Sequence, residues 1–172
     1  APSGHKGFIA FQLGASESRR RWPVTSFAAL GGSVWQEEGL CPVLLGSKDE
    51  IPLAQEYGRL ATHPYISLCG DTGLEDLAAA LTGMRMLVTN DTGTMHLAAG
   101  LGIPVLAFFL ATAQPFDTGP YLAGSCCLEP AMGCHPCAFD ATCPHNQACR
   151  HPIAPDTASA LLFPDLSLIP TR

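Results

Sequence analysis

Four consecutive residues and a nearby histidine are the part of this sequence best suited to bind a ligand. They are the Asp-Thr-Gly-Thr stretch at 91–94 and His96. A short apolar run at 86–88 is typical of a buried parallel strand, and apolar residues at helical spacing follow the stretch. A small polar turn between a strand and a helix directs free backbone N–H groups and the positive helix end at one point. We therefore predict an anion site here, most often one for phosphate, with His96 as an additional hydrogen-bond donor.

The same residues also have an ordinary structural explanation. Asp91 and Thr92 belong to the residue types that cap helices. His96, taken alone, is equally typical of a partly buried histidine that contacts no ligand. Capping and ligand binding are therefore about equally supported by this stretch alone.

A basic turn follows the first predicted strand, which covers residues 7–13. The turn runs from Gly14 to three arginines at 19–21, and Trp22-Pro23 then opens a helix, since proline suits the first helical position. Clustered guanidinium groups suit an anionic ligand. A solvated basic turn is the commoner outcome for such a run, so both interpretations stay open at this point.

Strand-like and helix-like segments alternate along the chain, which predicts an α/β fold with a parallel sheet. The predicted strands cover 7–13, 41–45, 65–70, 86–88 and 105–109. Right-handed crossovers make this a Rossmann-like, doubly wound sheet of about five strands, for which the usual strand order is 3-2-1-4-5. Such sheets bind ligands beyond the carboxyl ends of the strands where the order reverses, here between strands one and four. The basic turn and the turn at 91–94 both lie there, so fold and residue types indicate the same site.

Composition limits the class of protein and its division into segments. The 172 residues suit one domain, and with 47% hydrophobic and 14% charged residues the chain is globular. A net charge of −6 argues against nucleic acid as a partner, and no apolar run reaches the ~20 residues of a membrane span. We predict a linker or expression remnant at 1–6, the Rossmann-like domain at 7–123, a Cys-rich loop at 124–152, and a C-terminal helix and tail at 153–172. The start without methionine indicates a cut inside a larger protein.

The chain has eight cysteines, and six of them fall between residues 126 and 149. In an α/β chain such clustering favours a metal or redox feature over a general disulfide scaffold. Cys-x-x-Cys with two further cysteines suits a tetrahedral zinc site, and the candidate ligands are Cys134, Cys137, Cys143 and Cys149. The spacing is not that of a standard zinc ribbon, so a surface loop with free thiols or incidental disulfides is the alternative.

The stretch at 91–94 also carries a resemblance to a known family. The sequence from Asp91 to Ala98 resembles the D-[ST]-G-x-x-H-[LI]-A motif of the heptosyltransferases, the family-9 glycosyltransferases that build the inner core of bacterial lipopolysaccharide. The basic turn is similar to the family's turn that ends in Lys-x-Trp-Pro, with Arg20 at the place of the lysine and Ser16 at that of a threonine. The sequence resembles the C-terminal half of this two-domain, GT-B family.

A carboxylate four residues after a glycine extends the resemblance. Glu50 follows Gly46 at the spacing of a family glutamate that is similar to the ribose-binding carboxylate of dinucleotide folds. An acidic residue in the first turn of a helix is also favoured by the helix dipole, so Glu50 has two explanations. Thr118-Gly-Pro matches a further family loop.

The resemblance implies that this chain is the donor-binding domain of an inverting glycosyltransferase that transfers heptose from ADP-heptose. The donor-binding residues that it implies are Ser16, Arg20, Glu50, Asp91, Thr92, Gly93, Thr94 and His96. No catalytic residue is expected in this chain, because the general base of the family lies in the N-terminal half, which also holds the lipid A/core oligosaccharide acceptor. The implied location is the cytoplasm, at the inner face of the cytoplasmic membrane, and the domain alone is expected to be inactive.

Two other functions remain as alternatives at this point. One is a different GT-B nucleotide-sugar enzyme, such as an epimerase, which needs a histidine or carboxylate pair beside the sugar. The other is a non-catalytic module whose Cys-rich segment binds a metal or a partner. Zinc content and nucleotide binding distinguish these alternatives from the transferase.

Overall fold

A six-stranded parallel sheet forms the centre of the computed structural model, which describes residues 2–138 and 142–162. The strands are β1 (Gly7–Gln12), β2 (Leu40–Leu45), β3 (Ile66–Ser67), β4 (Leu87–Asn90), β5 (Val105–Phe108) and β6 (Cys126–Leu128). The helices are α1 (Val24–Glu38), α2 (Ile51–Leu60), α3 (Leu74–Thr82), α4 (Gly93–Gly100), α5 (Pro115–Thr118) and α6 (Pro155–Leu162). The strand order is β3-β2-β1-β4-β5-β6, and all pairs are parallel. The predicted α/β fold and the order of its first five strands are confirmed.

The sheet differs from the predicted one mainly at its edges. β6 pairs with β5 and lies in the segment that the sequence assigns to the Cys-rich loop. Its three half-buried residues are too few to show a strand periodicity, which explains why the sequence does not reveal it. The third strand is much shorter than the predicted 65–70, since only Ile66 and Ser67 pair before the chain turns at Gly70, whose φ is +83°.

Side chains alternate between two apolar layers, one on each face of the sheet. Ile9 and Phe11 of β1 point to the layer beneath α1, α2 and α6, whereas Ala10 points to the layer beneath α3 and α4. The central strands are buried on both faces, as in doubly wound parallel sheets. None of the helices in the described part of the chain is long and apolar enough to cross a membrane.

Trp22 anchors the end of the basic turn in the first of these layers. Its indole is fully buried and stacks on Phe108 at a centroid distance of 4.1 Å, with Phe27 edge-on at 5.0 Å. The indole Nε1 donates a hydrogen bond of 3.0 Å to the carbonyl of Ile153. One side chain therefore joins the basic turn, β5 and the segment that leads into α6.

We expect Trp22→Ala to destabilise the fold by about 3–5 kcal/mol, because it removes a large buried aromatic side chain and leaves a carbonyl unpaired. Trp35→Ala is the matched control, since Trp35 on α1 is only half-buried. Urea unfolding followed by circular dichroism gives both values. Equal losses in the two variants would show that Trp22 has no special anchoring role.

Candidate functional site at the carboxyl edge of the sheet

An open cleft with a volume of about 640 Å³ lies beyond the carboxyl ends of β1, β2 and β4. This is the place where the strand order reverses, as the fold argument predicts. Seven of the eight predicted donor-binding residues line the cleft, namely Ser16, Glu50, Asp91, Thr92, Gly93, Thr94 and His96. The eighth, Arg20, is not among the lining residues but pairs with the cleft residue Asp91.

Asn90, the last residue of β4, holds the start of the basic turn in place. Its side chain is fully buried, and its Oδ1 accepts a hydrogen bond of 2.8 Å from the backbone N–H of Trp22. Its Nδ2 donates to the carbonyl oxygens of Leu13 and Gly14, both at 3.0 Å. The turn that carries the arginines is thus fixed at both ends by one amide. The sequence did not predict this role, because it depends on contacts with residues far away in the chain.

Asp91 joins the start of α4 to the basic turn and to the end of α5 at the edge of the cleft. Its Oδ2 lies 3.3 Å from Nη1 of Arg20, and its Oδ1 accepts a hydrogen bond of 3.1 Å from Oγ1 of Thr118. Arg20 also donates from Nε to Oγ1 of Thr112 at 2.7 Å, and its Nη2 lies 3.2 Å from Oε1 of Glu17. The guanidinium is therefore oriented by two carboxylates and a hydroxyl.

The N-terminus of α4 is open toward the cleft. Thr92 is the N-cap residue in an extended conformation, and its side chain makes no capping hydrogen bond. The first amides of the helix therefore have no capping side chain, and the residues that carry them, Gly93 and Thr94, line the cleft. Such a helix end attracts anions through its N–H groups and its dipole.

The other Asp-Thr-Gly turn of the chain, at 71–73, shows the contrast. There the carboxylate of Asp76 accepts a hydrogen bond of 3.3 Å from the backbone N–H of Gly73, so the helix start carries its own anion. In α4 the equivalent residue is the exposed His96, which cannot supply a carboxylate. The helix start at 91–94 is therefore the one of these two turns that leaves room for an external anion.

A fixed carboxylate occupies the opposite side of the cleft. Oε1 of Glu50 accepts a hydrogen bond of 2.8 Å from Nε2 of Gln12, and Oε2 accepts one of 2.6 Å from the backbone N–H of Ser47. A Cβ on Gly14 would overlap Oε1, and a Cβ on Gly46 would lie 2.8 Å from Oε2. Both glycines are therefore required by the close approach of the carboxylate. The sequence analysis found Glu50 and Gly46 but missed Gln12 and Gly14, because their roles depend on contacts across the sheet.

The four cysteines predicted as zinc ligands lie in a segment that packs against the basic turn. Burial raises the pKa of the Cys137 thiol, and the nearby sulfurs of Cys149, Cys134 and Cys143 raise it further. None of the eight cysteines forms a disulfide. Within residues 2–138 and 142–162, no group of three or more His, Cys, Asp or Glu side chains is arranged to hold a metal ion. The zinc site stays a prediction from the spacing.

The same segment contacts the residues around the basic turn through one backbone and one side-chain hydrogen bond. The N–H of Cys137 donates to the carbonyl of Ala111 at 2.8 Å, next to the Thr112 hydroxyl that orients Arg20. Nε of Arg150 donates to the carbonyl of Arg21 at 2.7 Å. The Cys-rich segment therefore helps to hold the basic turn and the loop that carries Thr112.

When the chain is compared with known protein families, the matched region includes every residue that lines the cleft. Residues 1–148 match the model of the family described as glycosyltransferase family 9 (heptosyltransferase). Lipopolysaccharide heptosyltransferase 2 of Escherichia coli K12 is 30% identical over 119 residues, which are 66% of this chain and 34% of that protein. Lipooligosaccharide heptosyltransferase 2 of Haemophilus influenzae is 27% identical over 118 residues, again 34% of its length. The chain thus spans about a third of the length of these curated relatives.

Solved structures give the same result. The E. coli ADP-heptose lipopolysaccharide heptosyltransferase II superposes with a TM-score of 0.76 at 25% identity, covering 94% of this chain and 46% of that one. A family-9 glycosyl transferase from Veillonella parvula superposes with a TM-score of 0.67 at 28% identity, covering 74% of this chain and 36% of that one. The sheet and its cleft correspond to less than half of each of these proteins.

Gly14→Ala tests whether the Glu50 carboxylate lies as close to Gly14 as the structure shows. The added Cβ would overlap Oε1 and force the side chain aside, at a cost of about 1–3 kcal/mol in unfolding free energy. Gly100→Ala is the matched control, because no atom lies within 4 Å of the Cβ that it adds. Urea titration of both variants measures the difference. Unchanged stability in Gly14→Ala would mean that the carboxylate is not held where the structure places it.

Proposed function

This chain belongs to glycosyltransferase family 9, and from that premise we propose that it is the donor-binding domain of an inverting transferase that uses ADP-heptose. The observation that carries the proposal is that one cleft contains both a helix N-terminus without a capping side chain and a carboxylate held by two hydrogen bonds. The open N-terminus of α4 suits a diphosphate, and the seated carboxylate of Glu50 suits the hydroxyls of a ribose. A nucleoside diphosphate carries these two groups side by side.

The diphosphate end of the donor is proposed to lie at the turn between β4 and α4. Backbone N–H groups of Gly93 and Thr94, with the hydroxyls of Thr92 and Ser16, supply neutral donors. Arg20 supplies the positive charge, and Glu17 and Asp91 hold its guanidinium in one orientation. Donors that are already oriented need little reorganisation when charge develops on the leaving nucleoside diphosphate, so they favour the transition state.

His96 and Asp91 are proposed to contact the sugar side of the donor. His96 is exposed on the first turn of α4 and lines the cleft, so its ring can donate to a phosphate or sugar oxygen. Each Asp91 oxygen already accepts one hydrogen bond, from Arg20 or Thr118, which leaves acceptor positions for sugar hydroxyls. Neither residue is assigned the role of base. We propose that the general base belongs to the part of the relatives that this chain does not span.

The acceptor and the location follow from the relatives and remain proposals. Relatives of this chain are named as lipopolysaccharide or lipooligosaccharide heptosyltransferases. By analogy we propose a lipid A/core oligosaccharide acceptor, bound mainly by a second domain, at the cytoplasmic face of the inner membrane. The 172-residue chain is accordingly expected to bind nucleotide without transferring sugar.

Arg20→Ala tests the diphosphate end of this proposal. We expect calorimetric titration to show saturable ADP binding by the wild-type chain, and binding weakened about 10–100-fold by the variant, because a charge-assisted contact to phosphate is lost. Arg59→Ala is the matched control, since it removes the same charge from an exposed position near the end of α2. Thermal unfolding of each variant confirms that the fold is retained. Equal ADP affinity in the wild type and Arg20→Ala would contradict the assigned role.

A further inference from the structure

Gln12 is a buried polar residue in the cleft that the proposed donor contacts do not use. It ends β1, its side chain is 4% exposed, and its backbone pairs with Leu45 on one side and Thr89 on the other. The backbone that carries this side chain is therefore held between β2 and β4. A glutamine buried in this way must satisfy its amide within the protein.

The two ends of the Gln12 amide contact the two functional sides of the cleft. Nε2 donates a hydrogen bond of 2.8 Å to Oε1 of Glu50. Oε1 accepts a hydrogen bond of 3.4 Å from Oγ1 of Thr94, in the first turn of α4. Chemistry fixes this orientation, because an ionised carboxylate only accepts hydrogen bonds and the amide nitrogen must face it.

Glu50 needs such a support, because it lies outside the sheet. It ends the short 3-10 turn at Lys48–Glu50 that leads into α2. Ser47 holds Oε2 from within the same turn, whereas Gln12 holds Oε1 from the central strand. Gln12 therefore sets the position of the carboxylate relative to the sheet and to Thr94.

Each oxygen of the Glu50 carboxylate accepts one hydrogen bond from the protein in this arrangement. A carboxylate oxygen accepts about two hydrogen bonds, so one position on each oxygen stays available. Two acceptor positions on one fixed carboxylate match the two neighbouring hydroxyls of a ribose. A nucleotide without these hydroxyls cannot use either position.

We propose that Gln12 is a positioning residue that acts through Glu50 to select ribonucleoside diphosphates over their deoxy counterparts. This inference rests on the proposed function, because it requires a nucleotide in the cleft. Gln12 itself does not contact the reacting atoms. At the start of α4 it contacts only the hydroxyl of Thr94, whereas the diphosphate is proposed to bind the backbone N–H groups there, so we expect its effect at the ribose end.

The test compares ADP with 2′,3′-dideoxy-ADP in calorimetric titrations of the full chain. Gln12→Met keeps the volume of the side chain but removes both hydrogen bonds. We expect the variant to bind ADP about tenfold more weakly than the wild type and to bind 2′,3′-dideoxy-ADP with the same affinity. Gln36→Met, the same change at an exposed position on α1, is expected to alter neither affinity.

A double variant distinguishes an effect of Gln12 through Glu50 from a general effect of the substitution on the fold. If Gln12 acts through Glu50, then Gln12→Met adds nothing to the loss of ADP affinity in a Glu50→Ala background. Independent, additive losses would overturn the inference, and so would an equal loss for ADP and the dideoxy nucleotide in Gln12→Met. Binding of neither nucleotide by the wild type would contradict the proposed function itself, and this inference with it.

Discussion

The buried amide of Asn90 is the interaction on which the rest of the site depends. It uses its carbonyl oxygen and both N–H groups within the protein, on Trp22, Leu13 and Gly14. The side chain is fully buried, so a lost partner leaves a buried polar group unpaired. Because the amide holds both ends of the basic turn, the arginines lie where the sheet places them, with little freedom of their own. Trp22 then transfers this order to the aromatic layer and to the segment before α6.

Positive groups and the Glu50 carboxylate lie on different turns around the cleft. The positive end of α4 and Asp91, with Arg20 paired to it, belong to the turn after β4, and the carboxylate of Glu50 belongs to the turn after β2. Glu17 and Asp91 partly neutralise Arg20, but they also stop its long side chain from sampling other conformations. An oriented guanidinium loses less entropy on binding an anion than a free one, which favours affinity although the net charge is small. A carboxylate repels phosphate and accepts hydrogen bonds from hydroxyls, so this polarity favours one direction for a nucleotide bound as proposed.

Much of this architecture was predictable, because it follows from local patterns. Apolar runs and turn residues predicted the strands, and the usual strand order of doubly wound sheets placed the turns at Gly14 and at 91–94 beside each other. The structure brings the predicted donor-binding residues to one cleft, and their contacts with a ligand stay predictions. What the sequence could not show were contacts between distant residues. Gln12, Gly14 and Asn90 have no signature in their own neighbourhoods that reveals Glu50 or Trp22 as partners, and β6 is too short to show a period.

The central claim is that the start of α4 and the Glu50 carboxylate bind the two ends of one nucleoside diphosphate. Titration of the ¹⁵N-labelled chain with ADP, followed by amide chemical shifts, tests it residue by residue. The account predicts that the largest shifts fall on two separate groups, the amides of Gly93 and Thr94 and those of Ser47 and Glu50, and that both groups titrate with one affinity. Shifts confined to one of these groups, or centred on the outer surfaces of α1 and α2, would contradict it.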